Sequence, residues 1–205
     1  MKNKKVKKGT YMIVSGLILI VLALLLVFYN MNDDIRAGKS VKKTIEKVHE
    51  LNIEPSGIDY KVCPDMDMPV VNIDGVDYCG TLYIPSYDLE LPVINDWSYP
   101  NLRIAPCRYK GSAYTKDLII AAHNYKTHFG NLSHLVEGDE IIFTDMDENK
   151  FTYRVLEVEF ISGSDVPYME DGDWDLTLFT CNLSGRQRIT VRCIDISDFQ
   201  NLTNI

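Results

Sequence analysis

Nineteen consecutive residues without a charge, Tyr11 to Tyr29 (YMIVSGLILIVLALLLVFY), constrain this chain more than any other stretch. Such a run is about long enough to cross a hydrocarbon core of roughly 30 Å. In lipid the backbone must satisfy its own hydrogen bonds, so the run has to be a helix. Tyrosines at both ends suit the two membrane interfaces. Ahead of it stands MKNKKVKK, with five lysines, and positive charge of this kind stays on the cytoplasmic side. The rival reading is a cleaved signal peptide, whose apolar core spans about 7–15 residues and ends on a small-residue cleavage site. Here the run is longer, and Asn30-Met31-Asn32-Asp33-Asp34 is polar, which favours an uncleaved anchor. Residues 1–10 thus read as a cytoplasmic tail and 11–30 as a single membrane span, with the C-terminal bulk outside the cell.

Removing the five tail lysines from a net charge of −8 leaves −13 on the remainder. An acidic exterior argues against nucleic acid as a partner, which calls for a basic face. It also gives no reason for the domain to lie against anionic lipid. The length beyond the anchor suits one domain. Asp33 to Asn52 reads as a separate helix, with Asp33 and Asp34 in its first turn, where acidic groups are favoured. Val41, Ile45, Val48 and Leu51 form its apolar stripe, and His49 reads as a solvated residue. Glu54 to Tyr78 is punctuated by Pro55, Gly57, Pro64, Pro69 and Gly75 and reads as irregular. Residues 31–75 are therefore expected to form a stalk helix and linker, and 76–205 the main domain.

From Gly80 onward, short runs of β-formers alternate with turns. They are Gly80–Pro85, Leu89–Ile94, Leu118–Ala122, Glu140–Thr144, Phe151–Val155, Val158–Ile161, Leu176–Cys181 and Arg188–Cys193. Asn131 to Leu135 reads as a short helical turn and Val166 to Asp175 as an acidic loop. This pattern predicts a mostly β domain, a barrel or a sandwich. Its most chemical stretch is DLTLFTCNLSGRQRITVRC, Asp175 to Cys193. A strand ends on Cys181, Asn182-Leu183-Ser184-Gly185 turns the chain, and Arg188 opens a strand of alternating polarity. A tight return of this kind can set Cys181 beside Arg188. A thiolate needs nearby positive charge, and a guanidinium is always charged. The plainer reading is that Cys181 is a small buried hydrophobe. Upstream, the apolar run Ile119–Ala122 ends in His123-Asn124, where a rigid strand can aim an imidazole. His128 and His134 read as surface residues, and Arg186, in the turn, competes with Arg188.

Three motifs in order resemble one family. Thr177-Leu178-Phe179-Thr180-Cys181 ends a strand, an arginine opens the next strand, and an upstream strand ends in His123-Asn124 before Phe129-Gly130-Asn131-Leu132. Together, on a chain with an N-terminal anchor, they resemble the sortases, membrane-anchored cysteine transpeptidases of Gram-positive cell surfaces. The resemblance covers roughly Gly80 to Ile194. It implies an eight-stranded β-barrel with short helices. It implies Cys181 as nucleophile, His123 as general acid and base, and Arg188 as the group that stabilises the oxyanion, with Thr180, Asn124 and Asn182 in support. The partners implied are surface proteins with a C-terminal sorting motif and an amine acceptor, a peptidoglycan precursor or a pilin lysine. Asp96-Trp97 lacks the Asp-Pro-aromatic lid motif of pilus-building members, and IDISDFQNLTNI (194–205) is polar, so the likeness leans to class B or D. The same three residues would serve a purely hydrolytic cysteine peptidase, and a catalytically idle β interaction domain is the third reading.

No cofactor or metal is expected. The cysteines lack C-x-x-C spacing, and Asp145–Glu148 lacks the glycine and terminal glutamate of a helix-loop-helix calcium loop. Outside the membrane, Cys63, Cys79, Cys107 and Cys193 could pair in three ways. Cys63–Cys79 is slightly favoured because it closes a short loop, and the alternative is that all four stay reduced.

Overall fold

The computed structural model describes residues 2–51, 53, 57–182 and 184–197. It divides the chain into Met1–Arg36 and Ala37–Ile205. In the first unit the apolar side chains from Tyr11 to Tyr29 are exposed, and the helix that carries them is long and apolar enough to cross a membrane. That helix, α1 (Lys2–Glu50), runs unbroken for 49 residues. The expected separate helix from Asp33 therefore does not form. No glycine or proline lies between Gly16 and Gly38 to stop the first helix and start a second. Asp33 lies inside α1 and pairs with Arg36 one turn on, at 2.8 Å.

In the second unit, the C-terminal turns of α1 bury Val41 and pack Ile45 and Val48 on the core, as their spacing predicts, while Leu51 stays exposed. Lys43 and Lys47 bind Asp74 at 3.3 and 2.6 Å. His49 faces Glu90 at 3.0 Å rather than water alone.

The strands are β1 (Val71–Ile73), β2 (Val76–Ile84), β3 (Leu89–Ile94), β4 (Cys107–Lys110), β5 (Leu118–Ala121), β6 (Glu140–Asp145), β7 (Lys150–Ser162), β8 (Leu176–Cys181) and β9 (Gln187–Asp195). Two short helices join them, α2 (Tyr99–Leu102) and α3 (Val166–Glu170). The sheet order is β1-β2-β3-β4-β5-β8-β9-β7-β6, and β6 pairs back onto β2. Strands β2 to β9 therefore close an eight-stranded barrel, with β1 a hairpin partner on its outside. The β1–β2 turn is Asp74-Gly75, with φ of 54° and 84°. Both residues are left-handed, as a two-residue hairpin requires, and Asp-Gly is a favoured pair for it.

Closure rests on a glycine. Gly80 of β2 pairs with Asp145 of β6, and a Cβ there would press on the Thr144 carbonyl and, at 2.6 Å, on the Phe143 ring. Leu82, Leu91, Leu118, Ile120, Phe143, Phe151, Leu178 and Val191 fill the interior. Strand β5 is buried along its whole length, and its unbroken Leu-Ile-Ile-Ala run matches its parallel pairing with β8.

Four local expectations are corrected. Phe151–Val155 and Val158–Ile161 belong to one strand, β7, with an irregularity between Val155 and Glu157 that lets it bend without breaking. The acidic loop from Val166 contains α3, capped by the Asp165 carboxylate accepting from the Tyr168 amide. Thr190 and Arg192, polar positions of the alternating β9 run, are both buried, and Arg192 donates to the Tyr168 and Met169 carbonyls of the β7–β8 connection. Cys63 and Cys79 are both free thiols, the first exposed and the second buried, so the favoured pairing is absent.

Candidate active site

Strand β8 buries five residues and then exposes Cys181 at the barrel rim. The alternation of a strand explains its two neighbours. Thr180 faces the opposite side, and its hydroxyl donates to the Ala122 carbonyl at 2.8 Å. Phe179 shares the face of Cys181. After Cys181 the chain returns through a turn that Asn182 organises. The Asn182 amide donates to the Gln187 carbonyl at 2.8 Å, and its Oδ1 accepts from the Ser184 hydroxyl at 2.9 Å. Gly185 supplies a left-handed φ of 69°. Leu183 lies outside the described residues. The Asn182 amide is thus engaged in strand pairing rather than offered to a ligand.

The return places Arg188 directly opposite Cys181 in the antiparallel register. Side chains directly opposite lie on one face, about 5 Å apart at Cβ. Arg188 is half-buried, lies 5.8 Å over the Phe179 ring, and donates from Nη1 to the Gly163 carbonyl. Arg186 stays exposed in the turn.

His123 comes from the other side of β8. Parallel strands leave a sheet at the same edge, and β5 pairs with β8 as Ala121 with Phe179. The Ala122 amide extends that pairing by donating to the Phe179 carbonyl at 3.1 Å. The ladder ends at Ala121, and the same register carried two residues further would set His123 level with Cys181. The half-buried imidazole lies 5.1 Å from the Tyr125 ring, and its carbonyl accepts from the Phe129 amide at 3.3 Å. Asn124 follows, half-buried. The loop is drawn tight by the Tyr125 carbonyl, which accepts from the His128 and Gly130 amides at 2.9 and 2.8 Å. A Cβ on Gly130 would meet that carbonyl at 2.7 Å. His128, expected on the surface, is buried beneath this loop with its ring 5.3 Å from Tyr125. His134 is exposed, as expected.

Unlike the exposed Cys181 and Cys63, the thiols of Cys79, Cys107 and Cys193 are buried. Burial pushes those of Cys79 and Cys107 up to about 12, and that of Cys193 higher still. They are held neutral, and a neutral thiol is a poor nucleophile. Among the described residues, no three His, Cys, Asp or Glu side chains gather to hold a metal ion.

Residues that sequence reasoning did not single out hold the β7–β8 connection, whose Gly163 carbonyl accepts from Arg188. Arg192 is buried and donates from Nε to Glu159 at 2.7 Å, and from Nη1 and Nη2 to the Met169 and Tyr168 carbonyls at 2.8 and 2.9 Å. Tyr109 donates to Glu170 at 2.9 Å, and Lys110 binds the other Glu170 oxygen at 2.8 Å. Alternation on β9 pointed to Arg192 as a strand residue, but only the folded segment above it reveals its partners.

Comparison with known proteins identifies the family and the fold. The profile of the family described as Sortase domain matches residues 82–195. Sortase A of Bacillus anthracis is 28% identical over 189 residues, covering 85% of this chain and 88% of that protein. A Clostridium perfringens sortase C solved with the C-terminal cell wall sorting motif superposes with a TM-score of 0.58 at 18% identity, covering 78% of this chain and 98% of that one. The Clostridium perfringens sortase D5 transpeptidase gives 0.56 at 20% identity, covering 78% and 98%. These relatives carry the names of sortases A, C and D, so the match sets the family and not a class. Family profile, curated relative and barrel together establish that the chain belongs to the sortase family of cysteine transpeptidases.

Proposed function

We propose that this sortase is anchored by residues 11–30, with residues 1–10 in the cytoplasm, residues 31–75 as stalk and linker, and the catalytic domain, residues 76–205, outside the cell. Its lysine-rich tail supports that orientation. The observation that carries the catalytic reading is the exposed Cys181, in register with Arg188 and level with the strand end that delivers His123.

In this reading the Cys181 thiolate attacks the carbonyl carbon of a peptide bond in a sorting motif. The C=O π electrons move onto oxygen, and Arg188 hydrogen-bonds the developing oxyanion. The C–N bond then breaks, and the imidazolium of His123 gives its proton to the leaving amine, which departs neutral. A thioacyl-enzyme remains. The neutral imidazole next removes a proton from an incoming amine, whose nitrogen attacks the thioester and releases the Cys181 thiolate. The acyl donor is a surface protein carrying the motif. The acceptor is an amine of the cell wall, a peptidoglycan precursor or a pilin lysine. A class B or D role, with attachment to peptidoglycan, is the finer form of this reading. Thr180 supports the catalytic reading by fixing Ala122 beside β8, and Asn124 follows His123 in the chain.

The test incubates the full chain in detergent micelles with LPxTG-like and NPxTx-like peptides and measures intact mass. We expect a thioacyl adduct on the wild type and none on Cys181→Ala. Product analysis with and without an added amine separates transfer from hydrolysis. His123→Ala should slow adduct formation by about 10²–10⁴-fold, and Arg188→Ala by about 10²–10³-fold. An adduct that survives in Cys181→Ala would overturn the assignment.

A further inference from the structure

Arg188 is approached from two directions, and Tyr109 stands behind both. Tyr109 lies on β4 where the register to β5 shifts between Arg108 and Lys110. An extra residue of this kind bends a strand and re-aims its side chain. Here the side chain of Tyr109 meets Phe179 and Glu170. The Tyr109 ring meets Phe179 edge-to-face at 5.3 Å and 88°, and Phe179 is the ring over which the Arg188 guanidinium lies. The Tyr109 hydroxyl donates to Glu170 at the end of α3. Glu170 belongs to the β7–β8 connection, residues 163–175. The first carbonyl of that connection, Gly163, accepts from Arg188, and Arg192 holds its middle at Tyr168 and Met169. A donor to an oxyanion acts only if its position is fixed before charge develops. Arg188 has a long, flexible stem, so its position comes from Phe179 and Gly163.

We propose that Tyr109 is a positioning residue for Arg188: its ring braces the Phe179 face beneath the guanidinium, and its hydroxyl, through Glu170, ties down the segment whose Gly163 carbonyl holds it. This rests on Arg188 being the oxyanion donor.

The test uses the full chain in detergent, carrying Cys63→Ser so that the other exposed thiol is silent. Tyr109→Phe and Tyr109→Leu are made alone and together with Arg188→Ala. Two reactions of Cys181 are timed by mass: alkylation by iodoacetamide, which forms no oxyanion, and acylation by an LPxT-type peptide thioester, which does. We expect Tyr109→Leu to slow acylation about tenfold, and Tyr109→Phe less, since it keeps the ring. Alkylation should stay within about twofold of wild type, which a merely destabilised fold would not give. In the Arg188→Ala background Tyr109→Leu should add nothing. Additive slowing in that background, or wild-type acylation by Tyr109→Leu, overturns the proposal. Should Tyr109→Leu fail to fold, the same cycle is read with Tyr109→Phe. Wild-type acylation by Arg188→Ala alone, or no thioester acylation of a wild-type chain that alkylates, sinks instead the role of Arg188, and this proposal with it.

Discussion

Thr180 decides how well two halves of the site meet. Its buried hydroxyl, bonded to the Ala122 carbonyl at 2.8 Å, joins the residue before the cysteine to the residue before the histidine. Thr180→Val keeps the shape and leaves that carbonyl without this donor. We expect a loss of about 1–2 kcal/mol in urea unfolding, together with slower thioester acylation, since the β5 end loosens against β8. Unchanged acylation in a destabilised variant would confine Thr180 to stability. At this scale the sequence was most readable where a residue sits at the end of a strand. Cys181 and His123 each end an apolar strand run and Arg188 opens an alternating one, so periodicity placed each at a strand end. Tyr109 and Glu170 are 61 residues apart in the chain, and their contact follows from closing the barrel, which no local pattern encodes. His128 misled for a similar reason, because a histidine between Thr127 and Phe129 looks like loop until the Tyr125 carbonyl folds that loop over it.

Among the elements, β2 carries the closure. It pairs with β3 on one side and β6 on the other, and the second pairing passes through Gly80 against Thr144 and Phe143. Gly80→Ala would push apart two strands that have no slack, and we expect it to cost about 1–3 kcal/mol in urea unfolding. A midpoint equal to wild type would show that β2 and β6 can separate freely there. The strands around this seam were legible because each is bounded by turn residues and holds at most one interruption. What failed at this scale were junctions. Periodicity reports each apolar run separately, so β7 read as two strands where a bulge lets one continue. Acidic residues at 33 and 34 read as a helix start, although nothing had stopped the helix before them. The Asp74-Gly75 turn was a signal available within a stretch dismissed as irregular, and it sets the β1–β2 hairpin.

For the whole molecule, the five thiols divide by burial. Cys63 and Cys181 are exposed, while Cys79, Cys107 and Cys193 are sealed in. Native alkylation followed by mass analysis should show two fast and three slow modifications. A third fast site would mean that the barrel opens locally. The buried thiols also set the alkaline limit. Their protons are held more tightly when folded, so their stabilising contribution is complete below the ordinary thiol value of 9.0 and falls as pH rises from there toward about 12. We expect the thermal midpoint to drop over that range, and a Cys193→Ala variant to show a shallower decline. The barrel as a class was readable because many short strands with regular turns leave few other ways to bury their faces. Its closure was not, since the β2–β6 pairing joins segments about sixty residues apart, a separation at which pattern carries no information. That same topology orders the birth of the site in time. Cys181 and Arg188 share a hairpin and can meet as soon as β8 and β9 exist. The histidine strand must find β8 across a separation of 58 residues, an entropic cost near 4 kcal/mol before constants, against about 2 for the hairpin. During refolding Cys181 and Arg188 therefore come together first, and His123 arrives with the slow, long-range step. Recovery of activity then marks completion of the barrel rather than the appearance of its strands.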